Sequence, residues 1–465
     1  MIRVHDVLAG TNGQINGALD PQKLLRAVTH DSREVQEGDL FIALVGETQD
    51  GHRFVPDALE RGARAVMINE SFAQQFSLGD LPAIVVPDTL VALQSLAAYW
   101  RNTFSPHVIG ITGSIGKSST KEVIAGIAGA RFNVTRSRRS YNSEVGLPLS
   151  VLELTPDTEV LVLELGGGYR FGEISELAAI ARPTIGVVTN VSHSHLGRMG
   201  SLEAIAETKT ELVTSLPPDG VAILNVDDER VRAMAERATS RVIFYGLGDD
   251  ANVRATDLQS HGVDGISFRL HHPGGSDHVQ VPLMGRHSVH MALAGFAVGV
   301  ELGLDLEEMI RGIATPGIQL RLLLVRSLNG STLLDDTYNA NPASSFAALA
   351  LLAELDADRR IAVFGDMMEL GDFEIEGHTL VGERAAQTVD RLYTLGARAR
   401  IIAARAREAA PGLPVSSFES KEELIEALTH DLRQGDVVLV KGSRSVQMET
   451  IVAALRVPEP AERVE

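Results

Sequence analysis

The stretch Gly110-Ile-Thr-Gly-Ser-Ile-Gly-Lys-Ser-Ser119 joins an apolar run to a helix-like run through glycines, a lysine and hydroxyls. Before it, Pro106-His-Val-Ile-Gly-Ile-Thr112 reads as a short buried strand. After it, Val123, Ile124, Ile127 and Ala128 recur at helical spacing. A strand therefore feeds a helix through a glycine turn. Backbone N–H groups at such a turn, together with the positive end of the helix dipole, favour an anion. Lys117 adds a point charge, and Ser118 has the hydroxyl that Mg²⁺ takes in phosphate loops. The general loop pattern wants glycine where Ile111 stands, so Gly113-x-x-Gly116-Lys117-Ser118 is the part that matches. The implied ligand is a nucleoside triphosphate, held by Gly113, Ser114, Gly116, Lys117, Ser118 and Ser119.

Working outward, 465 residues fill about three domains. Short apolar runs at 39–45, 63–68 and 81–86 predict a small α/β domain over 1–88. Its polar insertions, Thr29-His-Asp-Ser-Arg33 and Asp50-Gly-His52, read as turns. Residues 89–104 have helical spacing and carry the only tryptophan, Trp100, so a helix leads into a central domain over 89–316. There, apolar runs at 159–165, 184–190 and 220–225 alternate with helical patterns. That alternation indicates a mostly parallel sheet flanked by helices, with an antiparallel appendage over 251–284. From 317 to 465, runs at 331–335, 360–364, 391–395 and 436–440 fit a Rossmann-like sheet. The fold class is three-domain α/β.

Forty-two basic against sixty-one acidic residues leave a net charge of −19, which argues against nucleic acid or an acidic membrane as the partner. An anionic substrate then needs local positive features. The absence of cysteine removes disulfides, thiolate catalysis and Cys-type zinc sites. With no signal-like start and no long uncharged apolar segment, a cytoplasmic, monomeric protein is expected.

In an open parallel sheet, ligands gather where strands end. The second central run ends in Glu164-Leu-Gly-Gly-Gly168 and the third in Asn190-Val-Ser-His-Ser-His195. A carboxylate and a histidine then share one crest with Ser118. A charged Glu164 in an apolar run is costly, and a divalent cation offsets that cost. On chemistry alone, His193 and His195 are equal candidates. In residues 201–216 the apolar row Leu202, Ile205, Leu212, Leu216 has Lys209 in its gap, so this lysine shares the buried face. It snorkels, pairs with an acid such as Glu164, or has been modified into an anion. Two other polar stretches end strands. Asp335-Asp-Thr-Tyr-Asn-Ala-Asn-Pro342 reads either as a turn with a helix cap or as a site, and Lys441 either as a strand-end cation or as a surface lysine.

Taken together these stretches resemble the Mur ligases, of the type that adds D-alanyl-D-alanine to a UDP-N-acetylmuramoyl tripeptide. The most specific match is residues 335–342, backed by Gly365-Asp-Met-Met-Glu-Leu-Gly371, His378 and Val440-Lys-Gly-Ser443. The resemblance implies an ATP-dependent amide ligase with two Mg²⁺ ions and an acyl phosphate intermediate. It implies Ser118, Glu164 and His195 as metal ligands and Lys209 as a lysine carbamylated by CO₂. Lys117, Arg321 and Asp336 are implied at ATP. Asp31, Ser32, Arg33, Asn142, Tyr338, Asn339 and Asn341 are implied at the substrates, the UDP-tripeptide and D-Ala-D-Ala. The family often has asparagines where Ser140 and Ser143 stand, a departure that bears on the substrate grip, and where Ser288 and Met291 stand, a departure that bears on the adenine contacts. The alternatives are another ATP-dependent amino-acid ligase of the same superfamily and a nucleotide-binding module without catalysis.

Overall fold

The computed structural model describes residues 2–46, 48–76, 78–138, 140–315, 317–318 and 322–457. Runs with no polar face, such as Leu40–Ile42 and Val160–Glu164, are buried along their whole length. A strand can do this only in a sheet covered on both faces. Three such sheets form, one after another along the chain.

The first has five strands, in the order Gln14–Asn16, Ala83–Val86, Ala65–Asn69, Leu40–Ile42, Val28–Thr29. All are parallel except Gln14–Asn16. The two insertions read as turns form 3₁₀ turns, Ser32–Glu34 and Gly51–Phe54, capped by the carboxylates of Asp31 and Asp50. The helix Thr89–Arg101 then joins this unit to the next. Leu93, Leu96, Ala97 and Trp100 share one apolar cluster with Met67 and Ile84 of the first sheet and with Leu161 and Leu163 of the second. One helix face thus serves two cores.

The second sheet has nine strands. The chain's first strand in it, His107–Thr112, sits between Val160–Glu164 and Ile185–Val188, parallel to both. Strand order reverses at that point, so the connections run off to opposite faces and a crevice opens at the carboxyl ends. The helices Lys117–Ala128 and Val289–Glu301 cover one face through Val123, Ile127, Leu293 and Phe296. Residues 251–284 do form antiparallel strands, Val253–Ser260, Ile266–His272 and Gly275–Val281. They extend the same sheet in plane, because Val253–Ser260 pairs with Arg241–Gly246.

The third sheet runs Leu323–Arg326, Thr332–Asp336, Asp436–Lys441, Arg359–Gly365, Arg391–Leu395, Val415–Phe418, parallel except at its first pair. Its two faces carry separate cores. Six strands that periodicity does not predict, Gln14–Asn16, Val28–Thr29, Val134–Arg136, Arg241–Gly246, Leu323–Arg326 and Val415–Phe418, are also present. Five of them are only two to four residues long. Among the described residues no helix is long and apolar enough to cross a membrane.

Candidate active site

The loop after His107–Thr112 is shaped by its glycines and tied down by hydrogen bonds within the protein. Gly113 has φ 141°, and a Cβ there would strike the Thr189 hydroxyl, so only glycine fits. Gly116, at φ 83°, turns the chain into the helix Lys117–Ala128. Asn190 holds the loop from the next strand end: its carbonyl accepts from Ser114 N–H and its side-chain oxygen from Ile115 N–H, both at 2.9 Å. Lys117 curls back so that Nζ donates to the Gly113 carbonyl at 2.7 Å. Ser118 and Ser119 are buried in the first helical turn.

Glu164 ends its strand 2% exposed. The Ser118 hydroxyl and the Asn142 amide each donate to it at 2.7 Å, so both donors that reach this carboxylate are neutral. A buried carboxylate without a cationic partner among the described residues is a place where a divalent cation offsets a desolvation cost. His195 lines the same cleft, whereas His193 stacks on Phe373 with ring centres 4.1 Å apart.

Lys209, on the helix Leu202–Thr214, is 2% exposed. Its Nζ donates to the Gly167 carbonyl, and among the described residues it has no carboxylate partner. It therefore neither snorkels nor pairs with Glu164. Burial first, and the Lys117 charge second, push its pKa down to about 7. A large share of this lysine is thus free amine at neutral pH.

Among the described residues no group of three or more His, Asp or Glu side chains forms a metal cluster. The donors on this crest are one hydroxyl, one carboxylate and one imidazole. Mg²⁺ commonly binds through one or two carboxylates and takes its other ligands from substrate phosphates and water. The phosphate loop beside Ser118 and Glu164 fits that habit.

The third sheet supplies the facing wall of the cleft, whose volume is about 340 Å³. Asp336 and Lys441, register partners at adjacent strand ends, form a buried ion pair. Lys441, for which a surface position was one reading, is buried and also donates to the Asn339 carbonyl at 2.9 Å. Asn341 caps the helix Pro342–Glu354 through Ser344 N–H. Its amide also crosses to the Ser194 hydroxyl at 2.8 Å, so one side chain closes a turn and links two domains. Tyr338 and Asn339 line the cleft as well. His378 lies outside it, packed in the core: Nδ1 is 2.7 Å from the Glu374 carbonyl and Nε2 accepts from Met367 N–H. Arg321 lies outside the described residues.

Several cleft residues were not singled out from sequence. Tyr169 lines it beneath Arg198, whose guanidinium lies 4.2 Å from the ring centre. His287 lines it too, with burial pushing its pKa down to about 4. Of the two departures in the following stretch, Met291 faces the cleft beside Gly116, while Ser288 donates at 2.6 Å to the Met284 carbonyl.

A second cleft, of about 750 Å³, lies between the first and second sheets. Arg26, Thr29, His30 and Arg33 line one side, Arg138 and Tyr141 the other. Three arginines line it, but each is paired with a carboxylate, Arg26 with Asp39, Arg33 with Asp31 and Arg138 with Glu153. Glu34, Asp39 and Glu153 line it as well, so among the described residues the lining has cations to offer an anionic substrate only where those pairs open. Of residues 31–33, only Arg33 lines the cleft. Asp31 aims it, accepting at 2.6 and 2.9 Å, and Arg33 in turn holds the Asp31 pKa down to about 2. Ser32 is buried in the 3₁₀ turn.

Family models match along the chain: the Mur ligase family catalytic domain over residues 25–101, the Mur ligase middle domain over 111–299 and the Mur ligase glutamate ligase domain over 320–444. The UDP-N-acetylmuramoyl-tripeptide–D-alanyl-D-alanine ligase of Synechocystis is 39% identical over 92% of both chains. Among solved structures, the Acinetobacter baumannii MurF superposes with a TM-score of 0.85 at 31% identity, covering 97% of this chain and 98% of its own. The Thermotoga maritima MurF, solved in complex with ADP, gives 0.77 at 29% identity over 92% and 96%. On this evidence of sequence and fold together, the chain belongs to the Mur ligase family, among the UDP-N-acetylmuramoyl-tripeptide–D-alanyl-D-alanine ligases.

Proposed function

We propose that this chain is the ATP-dependent ligase that joins D-alanyl-D-alanine to a UDP-N-acetylmuramoyl tripeptide in cytoplasmic synthesis of peptidoglycan precursor. Supporting this most directly is one cleft in which the phosphate loop, Glu164 and His195 face Asp336, Asn339 and Asn341 of a second domain. The domains divide the work: 1–88 holds the UDP-sugar end, 89–316 holds ATP, and 317–465 closes over both.

In the first step an oxygen of the tripeptide's terminal carboxylate attacks the γ-phosphorus of ATP, and ADP leaves. In the second, the dipeptide amine attacks the acyl carbon of the resulting acyl phosphate. The C–O bond breaks, phosphate departs with the former carboxylate oxygen, and the amine loses a proton. The backbone of residues 113–119 cradles the phosphates, and Lys117 exchanges its bond to the Gly113 carbonyl for the transferring phosphoryl group. Asp336, held by Lys441, meets ATP from the opposite wall, with Arg321 as its expected companion.

Ser118, Glu164 and His195 would hold Mg²⁺, with two ions expected in all. When bound, the metal neutralises charge on the phosphates and on the incoming carboxylate. Lys209, with its pKa near 7, adds CO₂ through its free amine, releases a proton and becomes a carbamate, an anionic oxygen donor. Asn142 orients Glu164 at 2.7 Å. The Asn341–Ser194 link holds the walls together and shields the acyl phosphate from water. Arg33, aimed by Asp31, contacts the diphosphate of the UDP-sugar.

The test is phosphate release by the purified protein with ATP, Mg²⁺ and the UDP-tripeptide, in diaminopimelate and lysine forms. Release that requires D-Ala-D-Ala, with the pentapeptide product seen by mass spectrometry, supports the reading. Silence with both tripeptides counts against it.

A further inference from the structure

The Gly365–Gly371 stretch has no role in the chemistry above, yet it makes a close contact with the metal crest. Glu369 is a non-glycine residue at φ 63°, a strained backbone state that persists only where surrounding contacts hold it. Contact with the central domain holds it there. The Glu369 carbonyl accepts from Gly197 N–H at 3.1 Å, and a Cβ on Gly371 would lie 2.6 Å from the Gly197 Cα. Two backbones therefore touch directly, immediately after His195.

The Glu369 side chain points the same way. Its Oε2 lies 2.8 Å from His195 Nδ1 and its Oε1 3.6 Å from Arg198. His195 Nδ1 is buried and has no other polar partner among the described residues. The two groups are within ion-pair distance but lack hydrogen-bond geometry, so one of them has to reorient to form the N–H bond. A neutral imidazole has one N–H and one lone pair, and fixing the N–H fixes the lone pair. With Nδ1–H directed at Glu369, the lone pair is on Nε2. A carboxylate behind a metal-binding histidine sets its tautomer and orientation and raises its basicity.

We propose that Glu369 is a positioning residue supplied across the domain boundary: it fixes the His195 ring for metal binding, and only the docked arrangement of the two domains supplies it. Domain closure and assembly of the metal site are then one event. The flanking contacts, Asn341 on Ser194 and His193 on Phe373, bring the walls together, but neither touches the His195 ring. This inference rests on the reading of His195 as a metal ligand.

The experiment titrates Mn²⁺ into the full-length protein with a non-hydrolysable ATP analogue. Electron paramagnetic resonance reads the affinity, and electron spin echo modulation reads histidine nitrogen on the bound ion. Glu369→Gln keeps the side-chain size and the carbonyl bond to Gly197. It should weaken Mn²⁺ about tenfold and reduce the nitrogen modulation. Phe373→Ala, which loosens the same interface but leaves the Glu369 carboxylate in place, should weaken Mn²⁺ through docking alone and leave the nitrogen modulation of the bound ion at the wild-type level. His195→Ala should abolish the nitrogen signal. If His195→Ala does so while Glu369→Gln behaves as wild type, the proposal is overturned and the metal reading stands. If Phe373→Ala lowers the nitrogen modulation as Glu369→Gln does, Glu369 serves only to join the domains and the proposal is likewise overturned. If His195→Ala binds Mn²⁺ with an unchanged signal, the metal reading itself fails.

Discussion

Replacing Lys209 with methionine should stabilise the empty protein while removing its activity. The lysine is 2% exposed, and its pKa falls from an ordinary 10.5 to about 7. At about 1.4 kcal/mol per tenfold change in proton affinity, holding the ammonium in this pocket at pH 7 costs about 4 kcal/mol. Methionine has similar length and no charge. It forfeits the bond to the Gly167 carbonyl, worth about 1 kcal/mol. The net gain at pH 7 is then about 3 kcal/mol. Its pH dependence has a definite sign. Between pH 7 and 10.5 the unfolded chain keeps the Lys209 proton and the folded chain does not, so wild-type stability rises with pH across that window. The advantage of methionine should therefore shrink by roughly 1 kcal/mol per pH unit and vanish near pH 10. Urea unfolding in CO₂-free buffer, followed by fluorescence of Trp100, measures this directly. Trp100 is the chain's only tryptophan, buried with its indole N–H on the Leu154 carbonyl. A methionine variant that is less stable at pH 7, or a difference that does not change with pH, would refute the reasoning.

Three other perturbations have defined outcomes. Gly116→Ala has room for its methyl, with the Met291 methyl 3.7 Å away, but must hold φ 83°. It should lower stability by about 1–2 kcal/mol and weaken ATP at least tenfold by calorimetry, and unchanged ATP affinity would show that the loop tolerates another path. Asp336→Asn strands the Lys441 ammonium in a buried position and should cost about 3–5 kcal/mol of stability. Adding Lys441→Met should restore most of that, and additive losses in the double variant would show that the pair is not coupled. Arg33→Ala, at an exposed position, should leave the melting temperature nearly unchanged, because solvent-exposed pairs contribute little to stability. It should raise KM for the UDP-tripeptide about tenfold with kcat unaltered, whereas a fall in kcat alone would place Arg33 elsewhere in the reaction.

The parts legible in the sequence are those where one local rule dominates. Continuous apolar runs give the long strands of all three sheets, and the glycines of residues 110–119 locate the strand-to-helix turn. Lys209 stands out because it interrupts a helical apolar row, and the structure buries it on that face. The edge strand Val415–Phe418 carries only two apolar residues, too few for a period to show. The in-plane continuation of the central sheet through residues 253–281 depends on pairing between distant segments, which no local pattern encodes. The same holds for sites made by tertiary contact. Asp336 and Lys441 are more than a hundred residues apart and meet only because their strands are adjacent in register. Of residues 31–33, only Arg33 reaches the cleft, since Asp31 and Ser32 are taken up in making its turn. Glu369 sits in a conspicuous motif, but its partner, His195, belongs to another domain.

The central claim is that the tripeptide carboxylate is activated by taking the γ-phosphoryl group of ATP. An isotope measurement tests it most directly. The UDP-tripeptide, with both oxygens of its terminal carboxylate labelled with ¹⁸O, is turned over with ATP and D-Ala-D-Ala, and the released phosphate is analysed by mass spectrometry. Each phosphate should carry one ¹⁸O atom and the new amide should keep the other. Unlabelled phosphate, or release of pyrophosphate and AMP, would contradict the account.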